Sequence, residues 1–174
     1  MRLYVMRHGP AEDRSATGRD ADRMLTTEGR ARVQEVALHL HRLRGTSAPL
    51  KILSSPLTRA RQTAEIVAEV LGAAGVTGMG SSEPEHRAEL ALDADLDGNL
   101  RLVAEAASSG TDALLVGHAP SVDHLIRALA PGAGKNPPAA VAGGFCTAMV
   151  VALSPLDPPG QWRMTDVLDP RTFR

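Results

Sequence analysis

Two short apolar runs, Leu3-Tyr4-Val5-Met6 and Ala113-Leu114-Leu115-Val116, stand out from the polar stretches around them. Each is too short for a helix and is halted at once, by Arg7 or Gly117, which predicts strands buried on both faces. Lys51-Ile52-Leu53-Ser54 predicts another strand, broken by Ser55-Pro56. Between these runs the apolar period changes to that of a helix. Val33, Val36, Ala37, Leu40 and Leu43 predict a first helix, capped by Thr26 or Thr27, with Glu28 at its positive end and Gly45 as its stop. Ala60, Ala64, Val67, Ala68 and Leu71 predict a second, with Pro56 in its first turn and its end before Gly72. Leu100, Val103, Ala104 and Ala107 mark a third; Val122, Leu125, Ile126 and Leu129, capped by Ser121, mark a fourth. Residues 10–25, 72–88 and 131–144 read as loops, the middle one with room for one short strand. Phe145–Leu153 and Gln161–Asp166 read as a closing pair of strands.

Alternation of strands and helices predicts an α/β fold with a mostly parallel central sheet and helices on both faces. No repeat or long linker divides the 174 residues, so one domain over residues 1–174 is expected. Four aromatic residues leave little for a base-stacking surface, and a net charge of -1 gives no overall attraction to nucleic acid or to a membrane. Neither partner is expected. No apolar run approaches the roughly 20 residues of a membrane helix. A lone Cys146 excludes an intrachain disulfide, which fits a cytoplasmic location. The oligomeric state is left open.

The chemistry begins where the strands stop. Arg7-His8-Gly9 follows the first strand, Arg59 and Arg61 open the helix after the second, and Gly117-His118-Ala119-Pro120 follows a later one. In a parallel sheet these places share the carboxyl edge, where ligands bind. Arginine forks match phosphate oxygens, and a neutral imidazole is a nucleophile. Nearby arginines disfavour the imidazolium, and a carbonyl near Gly9 is expected to hold the Nδ1 proton of His8, leaving Nε2 free.

Arg7-His8-Gly9, the stretch Ser55-Pro56-Leu57-Thr58-Arg59-Ala60-Arg61-Gln62-Thr63-Ala64 and the later Val116-Gly117-His118 resemble the histidine phosphatase, or phosphoglycerate-mutase-like, superfamily. Arg23-Met24-Leu25-Thr26 and the compact length resemble its SixA phosphohistidine phosphatase branch. The resemblance implies the phosphoglycerate-mutase-like fold and a metal-independent phosphatase without cofactor. It implies His8 as the phosphorylated residue, Arg7, Arg59 and His118 as holders of the phosphoryl oxygens, and Arg23 beside them. Arg61 is expected to face solvent or a partner. Glu89 is the first candidate for a leaving-group acid and Asp93 the second.

An imidazole leaving group, with its ordinary pKa of about 6.5, departs without much help. A weak acid position therefore leans toward phosphohistidine on a protein. The length between Leu71 and Asp112 leaves no room for a cap domain, so the pocket is expected to be open. The alternatives are a small-molecule phosphomonoesterase and a phosphate-binding module without catalysis.

Other motifs carry less. His39 and His41 read as solvated, His124 as structural or as a support behind the site, and His86 carries no signal. Asp93-Ala94-Asp95-Leu96-Asp97-Gly98 imitates a calcium loop but lacks its closing Glu, and Gly134-Lys135-Asn136 lacks the rest of a phosphate loop. Cys146 reads as an inert core residue in a strand.

Overall fold

The computed structural model describes residues 1–45, 48–75, 83–134 and 139–173. Its strands are β1 (Leu3–Arg7), β2 (Leu50–Ser54), β3 (Glu85–His86), β4 (Asp112–Gly117), β5 (Val150–Pro155) and β6 (Trp162–Leu168). They form one sheet in the order β3-β2-β4-β1-β5-β6. The first four run parallel to one another; β5 and β6 are antiparallel additions at one edge. The helices are α1 (Thr27–Arg44), α2 (Thr58–Ala73), α3 (Leu96–Ser108), α4 (Ser121–Leu129) and the short α5 (Ala139–Ala142).

The apolar runs are continuous because both faces of the sheet are covered. Tyr4 and Met6 of β1, with Leu114 and Val116 of β4, face α1 and α2. Leu3 and Val5, with Ala113 and Leu115, face α3 and α4. Thr26 caps α1 by accepting the Gly29 N–H at 2.9 Å, and Gly45 ends the helix with φ 72°. The stripe Val122, Leu125, Ile126 and Leu129 is buried throughout. Between α2 and β4 the described residues hold β3, the turn Ala88–Leu90 and α3, and no cap domain.

Several expected boundaries move. α2 begins at Thr58 and runs through Gly72 to Ala73, so Pro56 lies ahead of the helix rather than in its first turn. Ser121 is the first residue of α4 and does not cap it. The expected stripe on α3 is rotated: the buried residues are Gly98, Asn99, Leu102, Val103 and Ala106. The cause is Asn99, whose side-chain amide donates to the Glu89 carbonyl and so draws a polar residue inward. Within 131–144, the described residues form the turn Pro131–Gly134 and α5 instead of an unbroken loop; Lys135 and Asn136 lie outside the described residues. β5 starts at Val150, not Phe145, because Ala148 takes a left-handed φ of 65°. Cys146 therefore sits half-buried in a turn, its Sγ 3.6 Å from Asp169 Oδ1. His39 is stacked on Phe173 with ring centroids 3.8 Å apart, and His86 Nδ1 lies 2.9 Å from Ser54 Oγ. Neither is an idle surface histidine. Asp95, from the calcium-like stretch, caps α3 by accepting the Gly98 N–H at 2.7 Å.

Candidate active site

Strand register brings the site together. Arg7 stands opposite Gly117 and Ser54 opposite Val116. The ladder continues past the strand ends, with His8 N–H donating to Gly117 O at 3.0 Å and Ser55 N–H to Val116 O at 2.9 Å. His8, Ser55 and His118 thus leave three adjacent strands at one level. The rings of His8 and His118 have centroids 5.1 Å apart and are tilted by 54°.

The turn after His8 is pressed onto the start of α1, which makes glycine necessary there. A Cβ on Gly9 would stand 2.5 Å from Val33 Cγ2, and one on Gly29 would stand 2.0 Å from the Pro10 carbonyl oxygen. Gly9 N–H donates to Thr63 Oγ1 at 3.0 Å, and that hydroxyl donates to Arg59 O at 2.7 Å, so α2 pins the loop. On the other side, the left-handed Ala148 aims its N–H at the carbonyls of Arg7 and His8, 3.1 and 3.0 Å away.

His8 is 7% exposed. Its Nδ1 lies 2.7 Å from the Gly9 carbonyl, which accepts the ring proton there, as the sequence leads one to expect. Nε2 has no hydrogen-bond partner among the described residues. Its pKa is pushed down to about 4, chiefly by burial, with Arg59, Arg7 and Arg23 adding to the effect and the Gly9 bond opposing it. Burial, more than the arginines, keeps this imidazole neutral. His118 is held down to about 3 by burial first, then by His8 and Arg59. Its Nε2 is 2.8 Å from Ser55 Oγ. That hydroxyl already accepts the Leu57 N–H at 3.2 Å, so its own proton is best donated to Nε2. His118 then carries its proton on Nδ1, a buried atom with no partner.

The arginines show the same pattern. Arg7 gives Nη1 to the Phe145 carbonyl at 2.6 Å, and Arg59 gives Nη1 and Nη2 to Asp20 O and Asp20 Oδ2 at 2.9 and 3.1 Å. Both leave a buried Nε–H unpartnered. Phe145 is itself held by its N–H donating to Asp123 Oδ1 at 3.1 Å. Arg23 reaches Asp20 Oδ1 at 3.0 Å and the Glu12 carbonyl. Arg61 is exposed, as expected.

Glu89, the first candidate acid, is held in an ion pair with Arg87. Its turn does lie at the right edge, with the Leu90 carbonyl oxygen 3.8 Å from where a Cβ on Gly117 would be. Its two oxygens, however, are 3.2 and 2.9 Å from Arg87 Nε and Nη2, and this pairing holds the carboxyl below its ordinary pKa. The pairing favours its carboxylate form. Asp93 is exposed and has no hydrogen bond or ion pair among the described residues.

Asp20, Ser55, Thr63 and Ala148 escaped assignment of a role from sequence. Ser55 and Thr63 stood inside a recognised motif, but their partners are distant in the chain; Asp20 and Ala148 carried no signal.

Residues 3–79 match the model of the histidine phosphatase superfamily, branch 1. That span includes His8, Arg23 and Arg59 but stops short of His118. An uncharacterized protein of Picosynechococcus sp. is 53% identical over 68 residues; the match takes in 39% of this chain and only 40% of that protein's length. Two solved structures align along nearly the whole chain. One is the protein histidine phosphatase SixA complexed with tungstate, with TM-score 0.79 and 26% identity over 98% of both chains. The other, from Agrobacterium tumefaciens, is assigned as a phosphohistidine phosphatase SixA, with TM-score 0.74 and 28% identity over 97% of both.

Proposed function

We propose that this chain is a metal-independent phosphatase of branch 1 of the histidine phosphatase superfamily, acting through His8 on phosphohistidine carried by a protein. One observation carries the reading. Beside a neutral His8 with a free Nε2, three residues that influence it or its ring neighbour keep a buried polar atom with no partner: Arg7 at Nε, Arg59 at Nε and His118 at Nδ1. Buried donors left unpaired are costly, and a bound oxyanion satisfies all three at once. Tungstate, the ligand named with the similar SixA structure, is an oxyanion of this kind.

The chemistry follows from these positions. The lone pair on His8 Nε2 attacks phosphorus in line with the leaving group. The bond from phosphorus to the leaving nitrogen breaks, and its electron pair stays with that nitrogen. The Gly9 carbonyl retains the Nδ1 proton and stabilises the positive ring of the phosphorylated histidine. Arg7, Arg59 and His118 match the charge on the equatorial oxygens. Water then attacks phosphorus from the opposite side, returning His8 and releasing phosphate. The guanidinium groups already provide the charge a metal ion would bring.

Phosphohistidine is favoured because the candidate acid Glu89 is paired with Arg87. With Glu89 committed to Arg87, a poor alkoxide leaving group gains no proton from it, whereas an imidazole needs little help. An edge without a cap domain gives a protein-borne group access. The single free cysteine fits the reducing cytoplasm as the place of action.

The test is a panel of a phosphohistidine protein, an aryl phosphate and sugar phosphates, assayed with and without EDTA. We expect the phosphohistidine protein to be turned over fastest and EDTA to change nothing. Rapid quenching should trap phosphate on His8 in an acid-labile, base-stable linkage, and His8→Ala should lower kcat by roughly a thousand-fold or more. Activity retained in His8→Ala would remove the nucleophile, and loss in EDTA would remove metal independence.

A further inference from the structure

Beside the phosphoryl seat the loop between β1 and α1 encloses an open cavity of about 330 Å³ that the chemistry at His8 does not use. It is lined by Asp13, Arg14, Ser15, Arg19, Asp20 and Arg23. Two of these walls belong to both places. Arg23 adds to the field that depresses the His8 pKa, and Asp20 is bonded to Arg59. The cavity therefore begins one side chain away from the transferred group.

The charges are unevenly committed. Both oxygens of Asp20 are taken, one by Arg23 and one by Arg59, and this pairing keeps its carboxyl below the ordinary range. Arg19 has only a loose contact with Asp22, at 3.7 Å, and is 75% exposed at its side chain. Asp22 is meanwhile held by the Thr17 hydroxyl at 2.7 Å. Arg14 has no ion pair or hydrogen bond among the described residues. Asp13 is the one opposing carboxylate on the rim that no guanidinium holds. The cavity thus offers two available guanidinium groups against one free carboxylate, at a short and fixed offset from the phosphoryl seat.

We propose that this cavity is a second anion subsite, in which Arg14 and Arg19 receive a carboxylate lying next to the phosphorylated residue of a protein substrate. The proposal rests on the phosphatase reading above and adds to it a preference for acidic sequence around the phosphohistidine. The same chemistry would also receive the carboxylate of a small phosphoester, so the test separates the two sources. An exposed guanidinium pair of this kind adds modestly to binding and weakens with salt.

The experiment compares phosphohistidine peptides with Glu or Gln beside the phosphorylated residue, an aryl phosphate, and phosphoglycolate against ethyl phosphate. Wild-type protein should favour the Glu peptide in kcat/KM, with an advantage that shrinks as salt rises from about 50 to 500 mM. Arg14→Glu should lower kcat/KM for the Glu peptide about five-fold, through KM, and leave the Gln peptide and the aryl phosphate unchanged. A Lys-flanked peptide should regain what the Glu peptide loses in that variant. A loss confined to phosphoglycolate would assign the subsite to small molecules and overturn the protein assignment. Equal use of Glu and Gln peptides by the wild type, or an Arg14→Glu loss shared by the aryl phosphate, would overturn the subsite while leaving the phosphatase intact. No turnover of any substrate would overturn both.

Discussion

Arg44 and Arg59 are both buried, and they sit at opposite ends of the same parallel strands. Arg44 ends α1 and meets Asp112, the first residue of β4, at 3.4 Å; its side chain is 1% exposed and that of Asp112 is 11% exposed. It also donates to the Ala48 carbonyl at 2.9 Å and lies 5.9 Å from the centre of the Tyr4 ring. Asp112 in turn accepts the Arg2 N–H at 2.6 Å, which closes the group. Arg59 is just as buried, but its carboxylate partner Asp20 is 52% exposed at the side chain and lines an open cavity. The difference teaches what separates a structural cation from a functional one. A charge paired inside the protein is neutralised permanently. Both arginines keep an unpartnered buried Nε, so the difference lies in the pairing: a charge paired only with a surface carboxylate beside an open cavity remains available to a ligand.

Replacing each arginine by methionine should split stability from activity. Arg44→Met strands Asp112 and is expected to cost about 3–5 kcal/mol in urea unfolding, with kcat/KM of the folded protein within about two-fold of wild type. Arg59→Met should lower kcat/KM by roughly 100- to 1000-fold and change stability much less. Matching losses of stability in the two variants would erase the distinction.

A pH titration sharpens the same contrast, because His8 and His118, both depressed, lie at the end of the sheet that carries Arg59. In the unfolded chain His8 titrates near 6.5, and in the folded one near 4. Between these values the unfolded state binds protons that the folded state refuses, so stability is full above pH 6.5 and falls as pH drops toward 4. The loss assigned to His8 is on the order of 3 kcal/mol, and His8→Gln should reduce that slope while His118 keeps its own share. For the same reason His8 should add no inflection to kcat/KM between pH 5 and 8, and should cause a decline below about pH 4. An inflection near 6.5 that vanishes in His8→Gln would show a solvated imidazole instead.

The smallest expected effect concerns His118. Ser55→Ala removes the hydroxyl that fixes its tautomer. One such bond is worth about 1 kcal/mol, or about five-fold in kcat/KM. Steady-state kinetics at pH 7 measure it, and an unchanged rate would mean that His118 is oriented by packing alone.

The chain order announced much of this. Runs of four apolar residues specify strands covered on both faces whatever surrounds them, because only a central strand buries successive residues on opposite sides. The motifs around His8, Arg59 and His118 are local, and parallel register alone is enough to gather them at one edge. What the sequence determined, then, was a sheet with helices on both faces and the place of the histidine proposed as nucleophile. Tertiary structure decided the rest. Asn99 turned α3 because its amide found the Glu89 carbonyl, and the left-handed Ala148 delayed β5 so that its N–H meets the carbonyls of Arg7 and His8. Arg87 paired with Glu89, and Asp20 joined Arg23 to Arg59 across 36 residues of chain. Each of these depends on a polar partner remote in sequence, and hydrogen bonds and ion pairs act at contact distance, which periodicity along a chain does not encode.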